Sequence, residues 1–253
     1  MRIAILSDIH GNPIALDAVL HDLELHGGVD GYWILGDVVA IGHGPVQVLE
    51  RLSELPNAHF VRGNTDRYVC TGDRPPPTLD EARNDPDLLQ ALVEVAATFA
   101  WTQGAITSAG WFDWLDKLPF KLRVTLPDGT RFLGIHASPG RDDFGIQPGF
   151  NQAEMERLLA NCHADLICVG HTHLPMDVHV NGRRLVNVGS VSNPVLSDLR
   201  ASYAMLEAGG TGYEVELRRV DYDREAVIAA VQAIKHPGAD FIIRHMRGQI
   251  KGF

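Results

Sequence analysis

The chain has 253 residues, 45% hydrophobic and 21% charged, a composition that fits a globular domain and excludes a disordered or fibrous chain. Its 32 acidic and 22 basic residues give a formal net charge of −10, so bulk binding to a nucleic-acid backbone is not expected. No apolar run reaches the ~20 residues that cross a bilayer, no signal-peptide pattern opens the chain, and the three cysteines form no spaced framework. These features predict reduced thiols, no membrane partner and a cytoplasmic location.

The first sixty residues alternate between strands and helices. Strands are predicted at 2–6, 32–35 and 58–61. Pro13 opens a helix that ends at glycines, and Pro45 opens a second helix that runs to about Leu55. This alternation favours an α/β fold whose first half is largely parallel.

The middle of the chain has a different character. Residues 71–81 are a polar, proline-rich loop. Helices are predicted from about residue 87 to 106 and from 111 to 118. We interpret 67–118 as a helical insertion within a single domain that spans 1–253.

The second half returns to strands. Asp128-Gly129 and Asn181-Gly182 each separate two apolar strands, as hairpin turns do. The other predicted elements are a helix at 151–163, a strand at 165–170, two strands around a glycine-rich turn, and a helical end from Asp223. One domain of two sheets with outer helices fits this order.

Five short segments carry residues of the types that bind metal, and each follows a predicted strand. Strand ends of this kind meet at a common edge, so the segments are expected to converge. Glycine precedes the ligand-type residue in most of them, and we expect it to permit a tight backbone turn there. The segments are Ser7–Asn12, Gly36-Asp37, Gly63–Asp66, Gly134–His136 and Gly170–His173.

The polar side chains of these segments form a mixed set of carboxylates, an amide and imidazoles, without a thiolate. Such a set suits Mn²⁺, Fe or Zn²⁺ in a reactive site and argues against a structural zinc site. Each residue alone has an ordinary explanation as a turn former or a core histidine, but their joint occurrence favours metal binding. Seven ligands are too many for one ion and suit two ions that share a carboxylate. They are Asp8, His10, Asp37, Asn64, His136, His171 and His173.

In this order the motifs D-x-H, G-D, G-N, H and G-H-x-H resemble those of the calcineurin-like metallophosphoesterases, in their small prokaryotic phosphodiesterase branch. The resemblance implies a four-layer sandwich of two mixed β-sheets with helices on the outer faces. It also implies two metal sites and a bridge: Asp8, His10 and His173 at the first, Asn64, His136 and His171 at the second, and Asp37 between them.

The activity implied by the resemblance is hydrolysis of a small phosphate ester, mono- or diester, with a hydroxide between two divalent ions as nucleophile. Mn²⁺ is the favoured metal, and Zn²⁺ or Fe are alternatives. Asp37 and Asn64 would be catalytic. Arg62 would bind phosphate as an arginine does in the protein phosphatase relatives, and a surface salt bridge is the alternative for it. Hydrolysis of dinucleoside polyphosphates and a non-catalytic scaffold of the same fold are the alternatives. Relatives often form homo-oligomers.

Two positions depart from the family pattern. Thr65 stands where many relatives carry a histidine that helps to protonate the leaving group, and threonine cannot supply a proton near neutral pH. We hypothesise that the enzyme prefers good leaving groups or diesters, or uses another acid, for which His43 is the candidate. The segment 36–42 also lacks the phosphate-clamping arginine of protein serine/threonine phosphatases, which argues against that activity.

Overall fold

The computed structural model describes residues 1–195 and 197–249, and within them the chain forms two five-stranded mixed sheets covered by helices. This confirms the predicted α/β sandwich. In chain order the elements are β1 (Arg2–Leu6), α1 (Pro13–Leu25), β2 (Gly31–Leu35), α2 (Pro45–Ser53), β3 (Ala58–Val61), α3 (Asn64–Thr71), α4 (Leu79–Asn84), a 3₁₀ turn (Pro86–Leu88), α5 (Leu89–Ser108), α6 (Phe112–Asp116), β4 (Lys121–Thr125), β5 (Arg131–Ile135), α7 (Gln152–Leu159), β6 (Leu166–Val169), β7 (Met176–Val180), β8 (Arg183–Asn187), β9 (Ala201–Gly209), β10 (Gly212–Val220), α8 (Arg224–Ala233) and α9 (Ala239–Met246).

Each sheet combines three parallel strands with two antiparallel pairings. The first sheet has the order β10-β9-β1-β2-β3, in which β1, β2 and β3 are parallel and β9 runs against β1. The second has the order β4-β5-β6-β8-β7, in which β5, β6 and β8 are parallel and the two predicted hairpins supply the edges. The carboxyl ends of three parallel strands therefore point the same way within each sheet.

The two sheets pack face to face. Alternation along β1 places Ile3 and Ile5 in the core between the sheets and turns Ala4 and Leu6 toward the helices. The ring centroids of Trp33 and Phe132, one from each sheet, lie 4.3 Å apart in that core. Helices α1 and α2 cover the outer face of the first sheet, and α7 covers that of the second. The result is a four-layer arrangement.

The segment 67–118, interpreted as a helical insertion, differs from the sequence prediction near its start and within the predicted loop at 71–81. A helix, α3, already begins at Asn64, because the Asp66 carboxylate accepts a hydrogen bond from Gly63 N–H and closes the first turn. Helix α4 begins at Leu79, inside the segment predicted as a loop, with Thr78 as its N-cap. Phe99 of α5 shares the core cluster of α1 and α2. The insertion is thus part of the outer layer.

Two helices are shorter than the sequence predicted, and the cysteines are free thiols, as predicted. Helix α2 ends at Ser53 and α7 at Leu159, each shorter than predicted. Cys162 and Cys168 are buried and Cys70 is half-buried, all as free thiols. Within 1–195 and 197–249, no helix combines the length and apolarity required to span a bilayer.

Candidate metal centre

The five ligand-bearing segments meet where the strands of both sheets end. They follow β1, β2, β3, β5 and β6. Backbone hydrogen bonds continue the ladders into these loops, with Asp8 N–H donating to Gly36 O at 3.0 Å and Gly170 N–H donating to His136 O at 2.8 Å. Because these bonds join segments far apart in sequence, the loops hold fixed positions relative to one another.

The first group consists of Asp8, His10 and His173, whose ligand atoms lie within 4.8 Å of one another. His10 Nε2 is 3.2 Å from His173 Nε2, and His173 Nε2 is 3.1 Å from Asp8 Oδ1. Asp8 is fully buried, and its Oδ1 accepts no hydrogen bond from any described residue. A buried carboxylate oxygen left in this state between two imidazole nitrogens matches the donor set of a cation site.

The second group consists of Asp37, His136 and His171, with Asn64 beside them. Asn64 Oδ1 lies 2.9 Å from both His136 Nε2 and His171 Nδ1. Asp37 Oδ2 is 3.4 Å from His136 Nε2 and 3.8 Å from His10 Nε2 of the first group. Asp37 therefore lies between the two groups.

Backbone carbonyls fix which ring nitrogen faces the site. The Nδ1 atoms of His10, His136 and His173 lie 3.2, 2.8 and 2.6 Å from the carbonyl oxygens of Ala40, Leu35 and Asn193. A carbonyl only accepts, so each Nδ1 carries a hydrogen and each Nε2 faces the site. In the neutral rings these Nε2 atoms present lone pairs, which are the donors that a metal ion requires. The residues present therefore fit a metal pair.

Burial and charge set the protonation of the site. Burial lowers the pKa of His10 to about 4 and that of His171 to about 4, against the opposing charge of Asp37. For His136 burial also acts downward, but the charge and hydrogen bond of Asp37 prevail and raise its pKa to about 10. Burial opposes charge on Asp37, yet the same His136 partner holds the pKa of Asp37 below its usual value. Charged carboxylate and neutral imidazole are the forms that bind metal, so a bound ion would displace the proton that His136 otherwise holds at pH 7.

Five of the ligand residues have a left-handed backbone conformation. A left-handed φ costs a non-glycine residue roughly 1–2 kcal/mol, and such residues concentrate at functional sites. Asp and His tolerate it better than most residues. The φ angles are 57° at Asp8, 49° at His10, 53° at Asp37, 65° at His171 and 58° at His173.

The predicted reason for the neighbouring glycines was wrong at three of them. Gly63, Gly134 and Gly170 do not have positive φ; instead they permit close approach. A Cβ on Gly63 would lie 2.1 Å from Asp37 Oδ1, and one on Gly170 would lie 2.0 Å from Ser7 Oγ. Gly36, with φ of 87°, does make the predicted turn.

Asp66 is a supporting residue that sequence reasoning missed as such. It is fully buried, and its two oxygens accept hydrogen bonds from Val38 N–H and Gly63 N–H, both at 2.9 Å. It therefore ties the loop after β2 to the start of α3. Burial, helped by the charge of Asp37, raises the pKa of Asp66 to about 6. Its signal in the sequence was an acidic residue three positions after Gly63, the spacing of a helix cap.

Arg62 lies beside the site, within a charged cluster that the sequence did not reveal. Its Nη2 makes a loose 3.4 Å contact with Asp142 Oδ2. Arg67, which lies on α3, donates two hydrogen bonds of 2.9 Å to the same carboxylate. Arg62 Nε is buried and has no partner among the described residues. Of the two arginines, Arg62 is therefore the one with a free donor.

His43 borders the first group through its loop. Ala40 O accepts from His10, and Gly44 N–H donates to Gly11 O at 2.8 Å, so residues 40–44 lie on the His10 segment. His43 is half-buried, and its Nδ1 is buried without a partner in the described part of the chain. Burial lowers the pKa of His43.

Comparison with known sequences places the chain in one family. Residues 1–210 match the family described as the calcineurin-like phosphoesterase superfamily domain. An uncharacterized protein of Methanocaldococcus jannaschii is 27% identical over 238 residues, which cover 87% of this chain and 88% of that protein. A symmetrical bis(5′-nucleosyl)-tetraphosphatase of Citrobacter koseri is 36% identical over 70 residues, which cover only 27% of this chain and 25% of that enzyme.

Solved structures extend the likeness to nearly the whole chain. A hypothetical protein of Pyrococcus horikoshii superposes with a TM-score of 0.80 at 23% identity, covers 97% of each chain and shows the shared fold. A metallophosphoesterase of Sphaerobacter thermophilus superposes with a TM-score of 0.76 at 26% identity and covers 99% of each chain. With the family match and two groups of metal-binding side chains in the positions of its motifs, this chain belongs to the calcineurin-like phosphoesterase superfamily.

Proposed function

We propose that this protein hydrolyses phosphate esters of small molecules, diesters or monoesters, with two divalent metal ions. The observation that carries the proposal is the pair of ligand groups with Asp37 between them. Family membership supports hydrolysis of a phosphate ester as the reaction.

The two groups would each hold one ion. The first ion would be held by Asp8, His10 and His173, and the second ion by Asn64, His136 and His171. Asp37 would bind both ions. Mn²⁺ suits this mixture of oxygen and nitrogen ligands best, and Zn²⁺ or Fe are alternatives. When bound, two divalent ions lower the pKa of a water nucleophile and neutralise charge on the phosphate.

The protein's own contribution is orientation. Thr65 N–H donates to Asp37 Oδ1 at 2.9 Å, which leaves Asp37 Oδ2 directed between the groups. Asn64 Oδ1 is held between two imidazoles. Arg62, whose contact with Asp142 is loose, would donate to a phosphate oxygen. A substrate would thus meet ions on one side and a guanidinium on another.

Of the two alternative functions, one has a specific observation in its favour and the other does not. The local similarity to the symmetrical tetraphosphatase favours a dinucleoside polyphosphate as a second candidate substrate, cleaved at the same ligand groups. A non-catalytic scaffold is disfavoured, because all seven ligand positions hold ligand-type residues. Assembly into a homo-oligomer stays a prediction.

The direct test is hydrolysis of bis(p-nitrophenyl) phosphate in the presence of Mn²⁺. We expect turnover that a chelator abolishes and added Mn²⁺ restores. His136→Ala should remove it, whereas His21→Ala, at an exposed position on α1, should not. Absence of metal-dependent turnover with this ester and with dinucleoside polyphosphates would favour the scaffold.

Thr65→His tests whether the missing histidine limits the choice of leaving group. The introduced imidazole is expected to speed release of a poorly leaving alkoxide by about tenfold or more, because general acid catalysis helps poor leaving groups most. A nitrophenyl ester should gain little. Rates on matched alkyl and nitrophenyl esters measure this, with Thr65→Asn as the control that cannot donate a proton. Equal changes on both esters would contradict the hypothesis.

A further inference from the structure

The loop between β5 and α7 buries one carboxylate, that of Asp142. Asp142 follows a tight turn in which Ser138 and Arg141 exchange two backbone hydrogen bonds of 3.1 Å. It is 6% exposed, although the next residue, Asp143, is exposed. Burial of a charge is costly unless charged or hydrogen-bonding partners compensate it. The partners of Asp142 therefore indicate what this carboxylate does.

The same loop lies against the second ligand group. A Cβ built on Gly145 would lie 2.7 Å from His171 Cδ2, so the backbone of the loop touches the ring of a ligand residue. The following residue, Ile146, is fully buried in the apolar cluster that α7 forms with the second sheet. Asp142 is thus three residues from a point of contact with the second group.

Two arginines share the Asp142 carboxylate, but unequally. Arg67 donates from Nε to Oδ2 and from Nη2 to Oδ1, both at 2.9 Å. Its Nη1 donates to Asp73 at 2.6 Å, so all three of its guanidinium nitrogens have carboxylate partners. Arg62 reaches only Oδ2, through Nη2, at 3.4 Å. The carboxylate therefore keeps Arg62 near it without occupying the other donors of Arg62.

The carboxylate also compensates the charges of both arginines. The Arg62 side chain is 29% exposed and that of Arg67 is 20% exposed, so water screens their mutual repulsion only in part. Arg62 N–H donates to Pro119 O at 2.8 Å, which fixes the backbone at the end of β3 and leaves the side chain as the movable part. Without the negative charge of Asp142, the Arg62 guanidinium would be expected to turn away from Arg67 into water.

We propose that Asp142 is a positioning residue that holds the Arg62 guanidinium beside the second ligand group for donation to a phosphate oxygen. Asp142 acts through Arg62 and does not bind the substrate, because a carboxylate repels a phosphate. Arg67 supports this role by fixing both carboxylate oxygens. The inference rests on the proposed function, in which Arg62 binds phosphate, and it adds the residue that keeps Arg62 in place.

The test is a double-mutant cycle on the manganese-loaded protein, read by calorimetric titration with inorganic phosphate. Asp142→Asn keeps the shape of the side chain, removes its charge and presents an N–H₂ group to two donors. We expect it to raise the Kd for phosphate by about tenfold, the scale of one misplaced charge-assisted hydrogen bond, and Arg62→Ala to raise the Kd at least as much. In the Arg62→Ala background, Asp142→Asn should change the Kd by less than about twofold, since the two residues act as a unit.

Two further variants complete the design. Asp73→Asn is the matched control, because Asp73 pairs with Arg67 and, among the described residues, not with Arg62; its Kd should stay within about twofold of wild type. Arg67→Gln releases the Asp142 carboxylate from the other side and keeps the proposal testable if Asp142→Asn does not fold. It should also weaken phosphate binding by about threefold or more, and only while Arg62 is present.

Three outcomes would overturn the proposal. The first is a wild-type protein that binds no phosphate, and the second is a Kd that Asp142→Asn leaves unchanged. The third is a rise of equal size with and without Arg62, which would show that Asp142 only stabilises the loop beside His171.

The binding measurement requires no turnover, so it separates this proposal from the proposed function. If the cycle shows the expected coupling but bis(p-nitrophenyl) phosphate is not hydrolysed with Mn²⁺, the proposed function fails and the positioning of Arg62 stands. If the ester is hydrolysed and the cycle shows no coupling, the positioning role fails and the proposed function stands.

Discussion

Asp37→Asn is expected to lower kcat for bis(p-nitrophenyl) phosphate on the order of 10³-fold, the scale of losing one central charged contact in an active site. Asp37 is the carboxylate that approaches both groups, at 3.4 Å from His136 and 3.8 Å from His10. Asparagine retains an oxygen for the Thr65 N–H, so the local fold should persist. A lower kcat would therefore measure what the negative charge of Asp37 between the two ligand groups contributes to turnover.

The measurement is kcat together with the metal content of the purified variant. Asp113→Asn, on the exposed surface of α6, is the matched control and should behave as the wild-type protein does. If Asp37→Asn retained activity within tenfold of wild type, the shared role of Asp37 would be wrong.

Gly63→Ala is expected to destabilise the fold by about 3 kcal/mol, the upper range for forcing an added carbon into a packed site, and to abolish activity. The new Cβ would lie 2.1 Å from Asp37 Oδ1 and 2.3 Å from Asp37 N. A backbone nitrogen cannot swing aside as a flexible side chain can. The β2 and β3 loops would have to separate, and Asp37 and Asn64 would separate with them.

Urea unfolding measures the change in the free energy of unfolding. Gly104→Ala is the control: Gly104 lies inside α5 with no atom within 4 Å of an added Cβ, and alanine should stabilise that helix by up to about 1 kcal/mol. A Gly63→Ala protein as stable as wild type would show that the two loops are not as closely packed as described.

The parts of the site that follow strands could be predicted from the sequence. The apolar run of β1 ends at Leu6 and polar Ser7 follows, so the position of Asp8 at the strand end followed from local pattern. His171 and His173 were predictable for the same reason. Family resemblance then supplied the division of the ligands between two sites, which spacing alone does not give.

The residues that the sequence did not reveal depend on tertiary contacts. Arg67 meets Asp142 across 75 positions, and no local pattern marks either residue as part of a cluster. Helices α8 and α9 fold back onto the loop that contains Ile41, a contact that no local pattern predicts. The left-handed backbone at Asp8 and His10 is likewise imposed by bonds to the β2 loop.

Anomalous diffraction from crystals soaked in manganese tests the central claim most directly. We expect two peaks, one among Asp8, His10 and His173 and one among Asn64, His136 and His171, with Asp37 beside both. No peak at these residues, or a single ion bound elsewhere, would contradict it.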